Sequence, residues 1–266
     1  MPIGRAIKNY LKGYLGKGLI RFMSREDQIT YMVLNCRSKE ITQKVILPAT
    51  GYVMQTIKTH FKKTETHGKV LRGNYEGSMV SLVTSGIGAP AAAMTMEALR
   101  VAGVKYVIRV DYCGALMDNI EIGDIIVCSE AICGDGTTPH YLNPESPYPR
   151  VSADSILLSK IEEGFALKKS TFQCGSVWTH DALFKEPAEL IQKAISCGAI
   201  AIDMETSVIF ALGKLYNIST AAILIVTDKP RGKEFFSEKI RISPRIMQNL
   251  DFSLDNALKI LSLIKD

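Results

Sequence analysis

One arginine in this sequence lies inside an apolar run, where a charge is costly. The stretch VIRVDYCGAL, residues 107–116, places Arg109 between Ile108 and Val110, and Asp111 follows two positions later. A guanidinium buried in a strand requires a partner. Two interpretations are open. Arg109 forms a structural ion pair with Asp111 or another acid, or it forms an anion site, since a guanidinium binds phosphate or carboxylate through paired hydrogen bonds.

Three other acids follow apolar runs. In AIAIDMETSV, Asp203 and Glu205 lie on one face of an extended segment and Met204 lies on the other. Paired carboxylates can bind sugar hydroxyls, exchange protons or hold a metal, and Asp203 can equally cap the next helix. The absence of a nearby histidine in the sequence disfavours a transition metal. Asp228 ends TAAILIVTD, the most apolar run, so burial is expected to raise its pKa, as suits a proton donor. A plain turn aspartate is the alternative.

The elements around these residues alternate between strand and helix patterns. Strands are predicted from residue 44, in 73–86 as a hairpin around Glu76 and Gly77, and at 105–110, 123–132, 174–179, 199–205 and 220–228. Helices are predicted at 51–64, 88–103, 187–198, 206–217 and 242–266. This order predicts one α/β domain of three layers, with helices on both faces of a largely parallel sheet. Ligands of such sheets gather at the carboxyl ends of the strands, where the acids above fall.

Composition excludes several classes of function. The chain has 266 residues, 47% of them hydrophobic, and a formal net charge of +5. Its basic residues are dispersed, which disfavours nucleic acid as a partner. It has no apolar run long enough for a membrane span. The six cysteines form no CxxC pair, which predicts buried thiols in a reducing compartment and hence a cytoplasmic protein.

The domain organisation is predicted from the same patterns. Residues 1–28 form a basic extension whose apolar residues fall near helical spacing, and residues 29–266 form the α/β domain. The segment 134–153 is a proline-rich loop, long enough to serve as a lid or a binding wall.

Five motifs, taken together and in order, carry a family resemblance. SGIGAPAAAMTMEAL, VIRVDYCGALMDNIEIGDIIV, DGTTPHY, AIDMETSVIFAL and ILIVTD resemble the nucleoside phosphorylase superfamily of the purine and uridine phosphorylase type, over about residues 29–265. The resemblance implies a single α/β/α domain with a mixed, partly barrel-like sheet, assembled as a homo-oligomer, a dimer or a hexamer. It implies cleavage of the N-glycosidic bond of a nucleoside through a ribosyl cation. The nucleophile is phosphate as a co-substrate, or water in nucleosidases, and no other cofactor is expected.

The resemblance also implies roles for individual residues. Asp228 resembles the acid that protonates a purine at N7, and Arg241 resembles the arginine that assists it. The ribose is expected at Met204, Glu205 and Tyr31. Phosphate is expected at Arg109, Gly51 and Tyr112. The base is expected at Cys113, Gly114, Trp178 and Asp203.

The sequence departs from the family pattern around phosphate. LPATGYVM replaces the usual phosphate loop, Thr66 replaces an arginine lent by a neighbouring subunit, and Asp111 and Tyr112 replace small residues. From the resemblance as a whole, we predict phosphorolysis of a purine nucleoside, giving free base and ribose 1-phosphate in nucleoside salvage. The alternatives are a phosphate-independent nucleosidase or a non-catalytic nucleoside-binding protein. Uridine phosphorolysis is disfavoured because the residues that read uracil fall on Pro187 and Glu189.

Overall fold

A computed structural model describes residues 22–143, 145–230 and 243–265 of the chain. The strands of this part are β1 Lys44–Ile46, β2 Thr64–His67, β3 Val70–Tyr75, β4 Ser78–Val83, β5 Tyr106–Ala115, β6 Ile125–Cys133, β7 Arg150–Ser152, β8 Gln173–Thr179, β9 Ala199–Asp203 and β10 Ser219–Asp228. The helices are α1 Arg25–Leu34, α2 Gly51–Lys58, α3 Ala89–Val101, α4 Thr138–Leu142, α5 Ser155–Leu167, α6 Ala188–Ser196, α7 Thr206–Tyr216 and α8 Pro244–Leu263, with a 3₁₀ turn at Ser38–Glu40.

The strands form one mixed sheet that closes partly on itself. Their order is β10-β6-β8-β9-β5-β1-β4-β3-β2, with β7 beside β6. A further parallel pairing of β10 with β5 closes the first five strands of this order into a barrel. The hairpin β3-β4 is antiparallel, whereas β1 pairs in parallel with both β4 and β5. The expected partly barrel-like mixed sheet is confirmed, and the sheet is less uniformly parallel than the alternation of strands and helices alone predicted.

Helices cover both faces of this sheet and give the three expected layers. One core cluster joins the sheet to α3 and α7, with Met96 and Phe210 fully buried. A second cluster on other side chains of the sheet joins it to α2, α5 and α8, and includes Phe165 and Leu254. Strands β5 and β10 are buried along almost their whole length, because helices cover them on both sides.

Most predicted elements are confirmed, and the differences have local causes. The helix predicted over 51–64 ends at Lys58, since Phe61 turns inward against Gly73, where any β-carbon would clash with its ring. Helix α5 was not predicted; the Asp154 carboxylate caps it by accepting hydrogen bonds from the first N–H groups. The proline-rich loop contains α4 and β7.

Two further predictions concern the N-terminal extension and the burial of the cysteines. Residues 1–21, most of the predicted basic extension, lie outside the described part, and α1 runs across residue 28. All six cysteines are free. Four of them are buried as expected, whereas Cys174 is exposed and Cys197 is half-buried. Within residues 22–143, 145–230 and 243–265, no helix combines the length and the apolar character that crossing a membrane requires.

Candidate active site

A cavity of about 180 Å³ opens where four strands end and where β5 changes partners. Its walls come from the segments after β1 and β3-β4, from the second half of β5, from the loop before α6, and from the ends of β9 and β10. The lining residues are Ala49, Thr50, Ile87, Arg109, Asp111, Tyr112, Cys113, Gly114, Leu183, Glu186, Ile202, Asp203, Met204, Glu205, Thr227 and Asp228.

The course of β5 explains why the cavity lies here. On one edge β5 pairs with β10 from Tyr106 to Gly114. On its other edge β5 pairs with β1 as far as Ile108 and with β9 only from Gly114 onward. The intervening residues pair with no described strand on that edge, which leaves room for a ligand. Arg109 and Asp111 are in this gap, two residues apart and therefore on one face of the strand. They lie in the middle of β5, whereas the sequence placed them at its end.

Arg109 is buried at the centre of three carboxylates. Its side chain is 1% exposed. Its Nη2 atom donates a hydrogen bond of 2.6 Å to Glu205 Oε2 and lies 3.5 Å from Asp203 Oδ2. Its Nη1 atom lies 3.1 Å from Asp111 Oδ2. The structural ion pair that the sequence left open is therefore present, with Glu205 and Asp203 as additional partners.

Two carboxylates of this cluster, Glu205 and Asp111, have pKa values raised above their ordinary range. Burial raises the pKa of Glu205 to about 7, although Arg109 opposes the shift. Burial also raises the pKa of Asp111, again against the effect of Arg109. Burial disfavours the charge of Arg109 itself, but Glu205, Asp111 and Asp203 outweigh this effect and raise its pKa. The cluster thus holds one permanent positive charge among acids that are poorly solvated.

Backbone and hydroxyl groups fix two of these carboxylates. Glu205 Oε1 accepts a hydrogen bond of 2.7 Å from the N–H of Gly88, the residue that caps α3 with φ at 90°. The glycine of SGIG thus lets a backbone donor meet the carboxylate at a helix start. Asp203 accepts from the Thr206 N–H at 3.0 Å and from Thr179 Oγ1 at 2.8 Å. The helix-capping interpretation of Asp203 is confirmed, and its carboxylate also forms part of the cavity wall.

Two carboxyl groups lie in the half of the cavity away from Arg109. Burial raises the pKa of Asp228, as its apolar strand predicted, and Thr227 Oγ1 donates a hydrogen bond of 3.0 Å to it. Burial, and then the charge of Asp228, raise the pKa of Glu186 to about 7. Glu186 was not predicted; it precedes α6 in a loop that has no sequence pattern. Its one signal is its position next to Pro187, where the uracil-reading residues of the family fall.

The remaining wall residues include several that the resemblance implied. Cys113, Gly114 and Met204 line the cavity, as does Tyr112, which is half-buried. Gly114 has no room for a side chain, because a β-carbon there would lie 2.9 Å from Pro230 Cδ.

Three residues with implied roles do not line the cavity of their own chain. Trp178 is 1% exposed and packs against Tyr148, with ring centroids 4.9 Å apart, in a separate core cluster. Its side chain fills the core beside α6, away from the lining of this cavity, and its expected contact with the base stays a prediction. Tyr31 lies on α1, and Gly51 is the exposed first residue of α2, next to the wall residue Thr50. Arg241 lies outside the described residues.

The acids of the cavity are not arranged as a metal site. Among the residues that the structure describes, no group of His, Cys, Asp and Glu side chains has the geometry to hold a metal ion. Arg109 occupies the position between the three carboxylates that a cation would need.

Comparison with known proteins then assigns the family. A family model described as the phosphorylase superfamily matches residues 43–251. The chain belongs to the phosphorylase superfamily. The match spans the sheet from just before β1 to the first half of α8, and so includes every described residue that lines the cavity.

This superfamily member has relatives that are named purine nucleoside phosphorylase and relatives that are named uridine phosphorylase. It is 26% identical over 234 residues to a DeoD-type purine nucleoside phosphorylase of Bacillus cereus, an alignment that covers 85% of this chain and 98% of the relative. The crystal structure of uridine phosphorylase from Vibrio fischeri ES114 is 25% identical, with a TM-score of 0.73 over 85% of this chain and 93% of that one. Purine nucleoside phosphorylase from Toxoplasma gondii, in complex with immucillin-H, shares the fold at 19% identity, with a TM-score of 0.74 over 87% and 96%.

Proposed function

We propose that this protein cleaves the N-glycosidic bond of a nucleoside, with a purine base preferred, in the cavity between Arg109 and Asp228. The observation that carries the proposal is that carboxyl groups line two parts of one cavity, with Asp228 in one part and Glu205 beside Arg109 in the other. Asp228 supplies a poorly solvated acid, and Glu205 supplies a carboxylate held in place by Arg109 and Gly88. A reaction that breaks a C–N bond needs both, because the leaving nitrogen takes a proton while the sugar gains positive charge.

The ribose half of this proposal rests on Met204 and Glu205. Both line the cavity, and Glu205 has its carboxylate oriented by two donors. An oriented carboxylate accepts hydrogen bonds from sugar hydroxyls and stabilises the oxocarbenium-like charge that develops as the bond lengthens. Asp203 adds a second negative group behind Arg109.

The base half rests on Asp228 and Glu186. The raised pKa of Asp228 favours its protonated form, which can donate the proton to a ring nitrogen of the departing base, as the N7 of a purine requires. Glu189, one of the two positions where uracil-reading residues would fall, is exposed and is not among the lining residues. Both features favour a purine over a pyrimidine. We propose that Arg241 assists Asp228, whereas Trp178 and Tyr31, which do not line this cavity, have no role in the proposal.

The names of the relatives suggest phosphate as the group that receives the sugar, with free base and ribose 1-phosphate as products. Arg109 would then be the main phosphate ligand, with Gly51 and Tyr112 beside it. No other cofactor is proposed. The carboxylates around Arg109 favour water instead.

We also propose that the protein is a cytoplasmic homo-oligomer that acts in nucleoside salvage. Several large apolar side chains on and near α1 and α3 are exposed: Met32 at 72%, Ile87 at 63% and Met94 at 52%. Covering such residues is a common reason for self-association. The basic extension of residues 1–28 remains a proposed separate segment.

Base release from a panel of nucleosides tests the proposed function. The full chain is incubated with inosine, adenosine and uridine, with and without phosphate, and free base is measured by chromatography. Release from a purine nucleoside exceeding that from uridine is expected. Release from uridine alone would contradict the purine preference. The absence of release from every nucleoside, together with nucleoside binding by calorimetry, would identify a binding protein.

Replacement of Glu186 by glutamine is expected to move the alkaline limb of the kcat profile to lower pH. Asp228 is active while protonated, so kcat falls as the pH rises through its pKa. The charge of Asp228 raises the pKa of Glu186, so the two carboxylates repel each other when both are ionised, and an ionised Glu186 in turn opposes the ionisation of Asp228. Glutamine removes that charge, and a downward shift of about one pH unit follows. The exposed Glu189→Gln variant is the control, and an unchanged profile in Glu186→Gln would show that the two carboxyl groups act independently.

A further inference from the structure

Asp111 is the charged residue of the cavity wall to which the proposed function gives no role. Its side chain is 4% exposed, in the gap of β5. Its Oδ2 atom accepts a hydrogen bond of 2.5 Å from the Ala49 N–H, and its Oδ1 atom accepts one of 3.0 Å from the Tyr112 N–H. The same Oδ2 atom lies 3.1 Å from Arg109 Nη1. This carboxylate therefore meets two backbone donors and a guanidinium at once.

Backbone N–H groups and a guanidinium are the groups with which proteins bind phosphate. Here the carboxylate of the chain itself occupies them. Asp111 cannot move aside easily, because its backbone is held in register with Leu224 of β10 and its side chain is short. A phosphate ion that approached Ala49 and Arg109 would have to displace it.

The charge of the cluster opposes a second anion as well. Arg109 is surrounded by Asp111, Asp203 and Glu205, so the single guanidinium already faces more negative charge than it can balance. Phosphate would add at least one further negative charge in a poorly solvated place, where repulsion is strong. Water carries no such penalty.

Arg109 nevertheless retains donors for a neutral ligand. Its Nε and Nη1 atoms are buried and form no well-aligned hydrogen bond with the residues that the structure describes, although Nη1 lies 3.1 Å from Asp111 Oδ2. Buried guanidinium N–H groups require an acceptor. A water molecule next to Asp111 can accept a hydrogen bond from Arg109 and donate one to the carboxylate. The oxygen of this water then keeps a lone pair with which it can attack the sugar.

We propose that Asp111 is a built-in anion that replaces phosphate, so that this protein transfers the glycosyl group to water. The inference rests on the proposed function. The C1′–N bond breaks with its electron pair going to the base, which takes a proton from Asp228. The oxygen of water forms the new bond to C1′, and its proton goes to the Asp111 carboxylate. The products are free base and ribose, and the proton returns from Asp111 to Asp228 through solvent.

The dependence on phosphate and the identity of the sugar product test this inference. Base release from inosine or adenosine is measured in phosphate-free buffer and over a series of phosphate concentrations. A rate that changes less than about twofold, with reducing ribose as the product, is expected. A rate that rises in proportion to phosphate, with ribose 1-phosphate as the product, would overturn the inference and leave the proposed function standing.

Titration calorimetry with inorganic phosphate decides the same question without turnover. The wild-type chain is expected to give no binding heat. Asp111→Ser frees Ala49 and Arg109, so phosphate binding should appear, while base release without phosphate falls at least about tenfold through loss of the proton acceptor. Asp251→Ser, which removes an exposed carboxylate on α8, is the matched control and should bind no phosphate.

These outcomes separate the inference from the proposed function. Phosphate binding by the wild-type chain contradicts the built-in anion, whether or not any nucleoside is cleaved. If Asp111→Ser does not fold, Asp111→Asn keeps the size of the side chain, and the wild-type titration remains decisive. A wild-type chain that binds no phosphate but cleaves no nucleoside would contradict the proposed function and support the inference about the anion site.

Discussion

Replacement of Arg109 by methionine is expected to lower the free energy of unfolding by about 3–5 kcal/mol near neutral pH. Arg109 is 1% exposed and is the common partner of Asp111, Asp203 and Glu205. Methionine fills similar space but leaves the carboxylates buried without a cation. The loss therefore comes from uncompensated buried charge, because breaking such a cluster costs more than the net contribution of the ion pairs.

The loss should be smaller in acid. Without Arg109, the folded-state pKa values of Glu205 and Asp111 rise further above their unfolded values, so the native variant binds more protons than its unfolded chain. Under that condition, stability increases as the pH falls. The pKa of Glu205, already about 7 in the wild-type protein, indicates that the recovery begins near neutrality.

Urea unfolding at about pH 7.5 and about pH 5.5 measures both effects. Arg245→Met is the control, since Arg245 is 52% exposed and pairs with Asp124 at the surface. Its cost should be under about 1 kcal/mol at either pH. A loss in Arg109→Met that is as small as in the control, or that grows in acid, would contradict the description of the cluster as a buried charge network.

Replacement of Asp228 by asparagine is expected to reduce kcat for a purine nucleoside by about 10²–10⁴-fold, the usual contribution of a general acid. Asparagine keeps the shape of the side chain and can still accept the hydrogen bond from Thr227, but it has no carboxyl proton to give to the leaving nitrogen. KM should change little, because the interaction matters mainly as the C–N bond breaks.

Steady-state rates of base release provide the measurement, with Asp251→Asn as the control. Asp251 is 56% exposed on α8 and pairs with His60, away from the cavity lining. A tenfold rise in KM with unchanged kcat in Asp228→Asn would mean that Asp228 only binds the base. An unchanged rate would assign the proton to another group, with Glu186 as the nearest alternative.

The sequence predicts the architecture well because the fold depends on patterns that are local. Apolar runs such as the one ending at Asp228 are buried on both sides, and the alanine-rich segment at 89–101 has helix propensity and a glycine at each end. Helix α5 was missed because no element was assigned between the proline-rich loop and the strand predicted from residue 174, although its buried residues Leu157, Ile161 and Phe165 fall four residues apart. The closure of the barrel through β10 and β5 has no local signal.

The candidate site is predictable where a residue occupies a strand and less so where tertiary packing brings it in. Alternation along β5 indicates that Arg109 and Asp111 share a face, and the need of a buried guanidinium for a partner is general. The second and third acidic partners of Arg109 depend on the approach of the end of β9, and the hydrogen bond from the Ala49 N–H to Asp111 depends on the approach of the segment after β1. Glu186 comes from a loop, and Trp178 is directed into the core by the packing of α6.

A crystal structure with a purine C-nucleoside bound tests the central claim most directly, since a C–C bond replaces the bond that the protein is proposed to cleave. We predict that the base lies beside Asp228 and Glu186, that the ribose hydroxyls lie beside Met204 and Glu205, and that the Asp111 carboxylate stays on the Ala49 N–H. A nucleoside bound elsewhere on the chain, or one held in this cavity with its ribose toward Asp228, would contradict the account.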